Sequence, residues 1–477
     1  MRGWNRKISA IVGRILIIGF SVQIVSGMVW TLFHVGYFQE FPESYFLEKV
    51  SETLVCDEYT GILYPFLIRM LQGLGRVIPI PYFSVLYLLQ LLAAFGAAWY
   101  FLGGLKPFQR RAAWEKAWAA LALLTFPMAM QCHMAVLPIS LATSLFLVQL
   151  GVLERGLWNK EGESSEKAGV IGNLVRLGAT GLAMGLILPE YRYFGAIPLL
   201  FYAVFEILGI GVAGVKQEEN SGVAGVKQVV WIALVAAAFL GMGGRFHDLF
   251  TQEGAYGRMQ NTLEAAAFRR FAWDDFGEFY SEWPDELRDA LTQEEIRICN
   301  SHPLQKEWIL GEKVDAVYGR EKARKIYGQM QAITGKVRFK RNLKEILKDC
   351  VYYSVSPVMQ LWLMEGHGQP TLSGRNLDVM RAKTPEFTML YVRYGYLWFA
   401  VALSVALVQG LVDFGRAGAK TKKRAMQKAC WYMVVCGMII LWYTMQGGGI
   451  MDYKNGLIVT VLWGSMICCR VFSLKEE

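Results

Sequence analysis

The feature that most constrains this chain is its first apolar run, Ile8 to Phe33, which carries one charge, Arg14, and is long enough for a helix to cross about 30 Å of hydrocarbon. Arg2, Arg6 and Lys7 precede it, and no small-residue cleavage site follows, so it reads as a retained span with a cytoplasmic N-terminus. Runs of this kind recur along the chain. They predict an all-α fold, a polytopic transmembrane helix bundle of about ten spans with one mainly helical extracytoplasmic domain.

The remaining spans are expected at Tyr82 to Gly103, Ala117 to Leu137, Pro138 to Gly151, Ile171 to Leu188, Phe194 to Val212, Val229 to Gly243, Met389 to Val412, Cys430 to Met445 and Leu457 to Phe472. Basic loops fall on the cytoplasmic side as the positive-inside rule asks: Lys106 to Lys116 after the second span, and Arg416 to Lys428 after the eighth. Both termini are then cytoplasmic in a multi-pass cell-membrane protein. Three segments result: a bundle over 1–243 whose first outer loop is 34–81, an extracytoplasmic domain over 244–388, and C-terminal helices over 389–477. Within the first outer loop, Tyr64 to Ile78 suits an interfacial helix ended by Pro79 and Pro81. A cytoplasmic linker repeats Gly211 to Gln217 at Gly222 to Gln228, a duplication that a flexible loop accepts cheaply.

Composition bears on the partners. The chain is 54% hydrophobic and 19% charged, and its formal charge of +9 raises the question of nucleic acid. The outer segment 244–388 holds 21 basic and 21 acidic residues, so the whole excess lies elsewhere, where cytoplasmic loops account for it. The expected partner is the lipid bilayer and not nucleic acid. Eight cysteines include no CxxC pair, which argues against a thiolate metal site.

The outer segment reads as helical over Thr262 to Phe271, Trp283 to Leu291 and Lys313 to Thr334, the last with Val314, Val317, Ala323, Ile326, Tyr327 and Met330 along one face. Val351 to Met364, interrupted by Pro357, reads as a helix resting on the membrane surface or packing on the bundle; a crossing there would put the C-terminus outside. Arg269, Arg270 and Trp273, beside Asp274 and Asp275, suit a sugar: an aromatic face stacks on pyranose CH groups while carboxylates accept hydroxyl hydrogen bonds. An ordinary solvated surface is the plainer reading of the same residues.

Ionisable residues near a bilayer usually face a cavity or a partner. Asp57 and Glu58 in the first outer loop, His133, Glu190 and Arg192 in the turn Pro189 to Tyr193, and Asp452 come from separate outer loops that a bundle would gather around one cavity. Sugar transfer from a lipid-phosphate carrier needs such a set. Asp57 or Glu58 would deprotonate an acceptor hydroxyl, the other carboxylate would position it or ligate a divalent cation, Mg or Mn, and Arg192 would contact the phosphate. A buried ion pair closing a loop is the structural alternative. The five histidines all fall on the outer side, without the helical i, i+4 pair that a metal site would use.

With its basic N-terminus, its acidic pair Asp57-Glu58 followed by Tyr59 and Tyr64-Pro65, and its large later outer domain, the chain resembles the GT-C superfamily of integral membrane glycosyltransferases. The segment Glu190-Tyr191-Arg192-Tyr193 is similar to the E-x-R-[FY] pattern of some of those enzymes. The resemblance implies a polyprenyl-phosphate-linked sugar as donor, a glycan, lipid or protein acceptor, and a base or metal-binding role for Asp57 and Glu58. Two other classes stay open: a transporter or flippase, for which Arg14, Arg176 and Glu206 are the intramembrane charges, and a non-catalytic envelope-assembly protein.

Overall fold

A computed structural model describes residues 2–34, 42–56, 60–78, 80–158, 167–189, 191–207, 243–252, parts of 281–347, 386–445 and 457–473. The described residues are helical, without a strand; one isolated parallel bridge joins Cys56 to Thr251. The chain divides into two compact units. One comprises Met1–Thr251, Pro357–Gln427 and Tyr453–Glu477, and the other Gln252–Ser356 with Lys428–Asp452.

The first unit opens with α1 (Arg2–His34), α2 (Pro42–Thr53), α3 (Leu63–Gly75) and α4 (Tyr82–Gly104). Proline sets the start of α4: Pro81 takes ψ 130°, outside the helical range, and the apolar run then continues without a charge until Leu105 turns extended before Lys106. A short α5 (Lys106–Gln109) and α6 (Ala113–Leu124) follow. Next come α7 (Pro127–His133), α8 (Pro138–Leu153) with a π-helical turn at Glu154–Trp158, α9 (Lys167–Ile187) and α10 (Tyr191–Ile207). The short α11 (Asp285–Ala290) belongs to the second unit, and α12 (Glu386–Arg416) returns to the first. Among the described residues, four helices of the first unit are long and apolar enough to cross a membrane: Lys7–Leu32, Tyr82–Gly104, Pro138–Leu157 and Leu397–Arg416.

The apolar stretch Ala117 to Leu137 is not one continuous helix. It breaks between α6 and α7 because Pro127 has no N–H to donate and its ring excludes the preceding residue from helical space, and Phe126 accordingly takes ψ 131°. The connection from α9 to α10 is also tighter than the five-residue turn read from sequence. Tyr191 already donates to Leu188 O at 2.8 Å, and Arg192 falls in the first turn of α10.

α8 is the central helix, with 78% of its span buried, whereas the span in α12 is 17% buried and peripheral. Between lipid-facing helices the hydrophobic effect supplies little drive, so close packing and interhelical hydrogen bonds hold the bundle. One buried glutamine in each of three long helices serves this purpose. Gln23 of α1 donates to Ala122 O at 3.1 Å and accepts from Trp398 Nε1 of α12 at 3.1 Å. Gln149 of α8 donates to Leu177 O of α9 and Gly195 O of α10, at 2.9 and 3.1 Å. Gln90 does the same for α4, as described below. α9 and α10 meet at Gly181 and Gly195, where a Cβ on Gly195 would stand 2.8 Å from Gly181 Cα.

After α12 the chain continues through α13 (Ala419–Met445) and ends in α14 (Leu457–Ser473). Arg470 of α14 pairs with Asp413 of α12 at 2.5 Å. In the second unit, Trp283, Leu287, Val314, Ala323 and Ile326 are buried, and Tyr318 Oη donates to Glu286 O of α11 at 2.5 Å. The helix expected over Lys313 to Thr334 is interrupted at Gly319, whose φ of +72° belongs to the left-handed region, and Val317 is correspondingly exposed.

Candidate functional site

The segment carrying Asp57 and Glu58 is anchored on both sides. On one side, Cys56 is fully buried and donates its backbone N–H to Phe250 O at 2.8 Å; next to this bridge, Thr251 Oγ1 donates to His247 O at 2.8 Å. The chain reaches Cys56 through Leu54, a non-glycine residue held at φ 56°. That conformation costs about 1–3 kcal/mol and persists only where the surroundings impose it.

On the other side, Thr60 is buried and Gly61 lies hard against the end of α9. A Cβ at Gly61 would stand 2.2 Å from Leu186 O and 2.6 Å from Ile187 O, so only glycine allows this approach. Cys56 and Gly61 are thereby held against residues 250–251 and the end of α9, the helix that leads into Pro189 and the first turn of α10.

Beneath this clamp lies a buried polar network. Tyr64, in the first turn of α3, donates to Gln90 Oε1 at 2.6 Å, and Gln90 Nε2 donates to the carbonyls of His133 and Ala135, both at 2.8 Å. His133 Nδ1 is 2.8 Å from Ser140 Oγ at the start of α8. Burial, reinforced by the neighbouring Tyr87 hydroxyl, raises the Tyr64 phenol well above the ordinary tyrosine range, so Tyr64 remains a donor. The His133 side chain also borders a small, mainly apolar void with Thr143, Ser144 and Leu147, and Thr143 Oγ1 is buried there with no hydrogen-bond partner among the described residues.

Of the residues singled out from sequence, His133 is therefore an interior residue of the bundle. Arg192 has its backbone at the start of α10, and its side chain is not among the described atoms. Asp57, Glu58, Glu190, Arg269, Arg270 and Trp273 lie outside the described residues, as do both repeat copies and Val229 to Met242. Among the described residues, no group of three His, Cys, Asp or Glu side chains could hold a metal ion.

No family model, curated protein or solved structure matches this chain. The site therefore rests on its own residues. Sequence reasoning missed Gln90, the hub that ties α3, α4 and α7 together. Its signal was a lone amide in the apolar run Tyr82 to Gly104, where such a group without partners would be costly.

Proposed function

We propose that the chain is a polytopic membrane glycosyltransferase of about ten spans, with 244–388 as its extracytoplasmic segment, transferring a sugar from a polyprenyl-phosphate carrier to an envelope acceptor. The observation that supports this best is the clamped loop. Cys56 is pinned to Phe250 and Gly61 to Leu186 and Ile187, so the sequence neighbours of the acidic pair are held against the helix end that leads to Glu190 and Arg192. Preorganisation of this kind is what positions a general base.

In the proposed reaction, Asp57 or Glu58 takes the proton of the acceptor hydroxyl. The acceptor oxygen bonds to the anomeric carbon as the carbon–oxygen bond to the phosphate breaks, and the electron pair leaves on the phosphate. Arg192 balances that charge. Two adjacent carboxylates also suit a hard divalent cation, Mg or Mn, which would add to the neutralisation of the phosphate.

Arg14 and Arg176, the described charges that a transport path would use, are exposed on the flanks of α1 and α9, which weighs against a transporter. The test is a donor panel. Reconstituted in proteoliposomes with radiolabelled polyprenyl-phosphate sugars, the full chain should form product from at least one donor. Absence of product across the panel, with transbilayer movement of a labelled lipid-linked sugar, would replace the transferase with a flippase.

A further inference from the structure

The surface where α4 and α8 end together segregates charge. Arg155, just past α8, donates to Tyr100 O near the end of α4 at 2.9 Å and lies 3.7 Å over the Tyr100 ring. From Trp99 to Trp158 the chain carries five cations, Lys106, Arg110, Arg111, Lys116 and Arg155, against two carboxylates, Glu115 and Glu154. Both carboxylates are buried, at 6% and 1% exposure, with Glu115 facing Arg111 at 3.9 Å. Arg111 is itself turned inward to donate to Phe472 O at 2.7 Å. Lys106, Arg110 and Arg155 remain exposed. The outward surface is thus cationic, with the acids of the same segment withdrawn from it.

Three tryptophans border this surface. Trp99 lies on the last turns of α4, and Trp114 and Trp118 stand four residues apart on α6; they are 41%, 65% and 37% exposed. Amphipathic rings exposed beside the ends of apolar spans belong at headgroup level. A topology signal alone would need only the cations, since Asp and Glu contribute little to the positive-inside rule. Burying both carboxylates does something further: it leaves the exposed charge of this segment entirely positive.

We propose that this surface binds an anionic phospholipid, with its phosphate at Lys106 and Arg110 and its glycerol region along Trp114 and Trp118. The proposal rests on α4 and α8 crossing a bilayer and not on sugar transfer, so it survives failure of the glycosyltransferase reading.

Full-length protein in nanodiscs of equal phosphatidylglycerol and phosphatidylcholine, released into a native mass spectrometer, reports which lipid it retains. The parent should retain phosphatidylglycerol preferentially. The pair Lys106→Gln and Arg110→Gln should lower that preference by about fivefold per cation removed. The pair Lys49→Gln and Arg245→Gln, which also removes two exposed cations, should leave it unchanged. Both pairs change exposed side chains, and an unaltered melting temperature checks the fold; Trp114→Ala supplies a second variant that should weaken retention without changing charge. No preference in the parent, equal retention after the Lys106 and Arg110 changes, an equal loss in the control pair, or displacement of the lipid by soluble glycerol phosphate would overturn the proposal.

Discussion

Tyr64 Oη donates to Gln90 Oε1 at 2.6 Å, and this one bond orients the amide so that Nε2 reaches the carbonyls of both His133 and Ala135. The first turn of α3, the middle of α4 and the α7–α8 connection are therefore coupled through a single buried side chain. Replacing that side chain strands a phenol and two carbonyls. Gln90→Leu should destabilise the bundle by about 1–3 kcal/mol, and Tyr64→Phe by about 1 kcal/mol. Denaturant titration in detergent, carried through the double variant, should give a coupling of at least ~0.5 kcal/mol; additive effects would show that the two residues act separately.

Gly61→Ala places a methyl group against the backbone of Leu186 and Ile187. Backbone cannot rotate away as a side chain can, so the start of α3 or the end of α9 must shift, at a cost of about 1–3 kcal/mol. Under the proposed function, transfer should fall by more than this loss of stability explains. A folded Gly61→Ala protein with full transfer would separate the clamp from the activity.

The contact of α9 with α10 depends on the paired Gly181 and Gly195. Gly195→Ala brings a Cβ to 2.8 Å from Gly181 Cα and pushes the helices apart, weakening the bonds from Gln149 to Leu177 and Gly195. A lower melting temperature, equivalent to roughly 1–3 kcal/mol, is expected. Gly181→Ala should act similarly and the two should not add, since they strain the same crossing.

Glu48, on α2, accepts a hydrogen bond from Tyr82. Burial, with the charge of Glu52 adding to it, raises the Glu48 carboxyl above its ordinary 4.5. As the pH rises, the unfolded chain ionises first. The stability associated with protonated Glu48 is therefore fully present below about pH 4.5 and is lost as the pH passes through the raised value. Glu48→Gln keeps an acceptor for Tyr82 and cannot ionise. Melting temperatures measured from about pH 4 to pH 7 should fall less steeply for this variant than for the parent, and identical slopes would refute the assignment.

Several helices were legible because their ends carry strong local signals. Pro81 and the glycine pair before Lys106 delimit α4, expected over Tyr82 to Gly103 and observed over Tyr82–Gly104; α14, expected from Leu457 to Phe472, is observed over Leu457–Ser473. α2 was not legible, since Pro42–Thr53 is short and, with Glu43, Glu48, Lys49 and Glu52, too polar to stand out in a membrane chain. The break at Phe126 was masked by the unbroken apolarity of its surroundings, although Pro127 announces it. Gln90 was hidden for a different reason. Its partners are 26, 43 and 45 residues away, and a side chain defined by distant partners leaves only its own polarity in the local sequence.

The same limit governs the candidate site. Adjacent carboxylates at 57 and 58 are conspicuous in sequence, but what holds their flanks comes from Phe250 and from Leu186 and Ile187, positions that no local pattern joins to them.

The most direct measurement is single-turnover transfer from a radiolabelled polyprenyl-phosphate sugar in proteoliposomes, comparing the parent with Asp57→Asn and Glu58→Gln at matched folded concentration. Removal of a general base typically costs about 10²–10⁴-fold. The account predicts product from the parent and a loss of that order in at least one variant, with the donor still bound. Parent-level transfer by both variants would contradict the role given to the acidic pair, and with it the central claim.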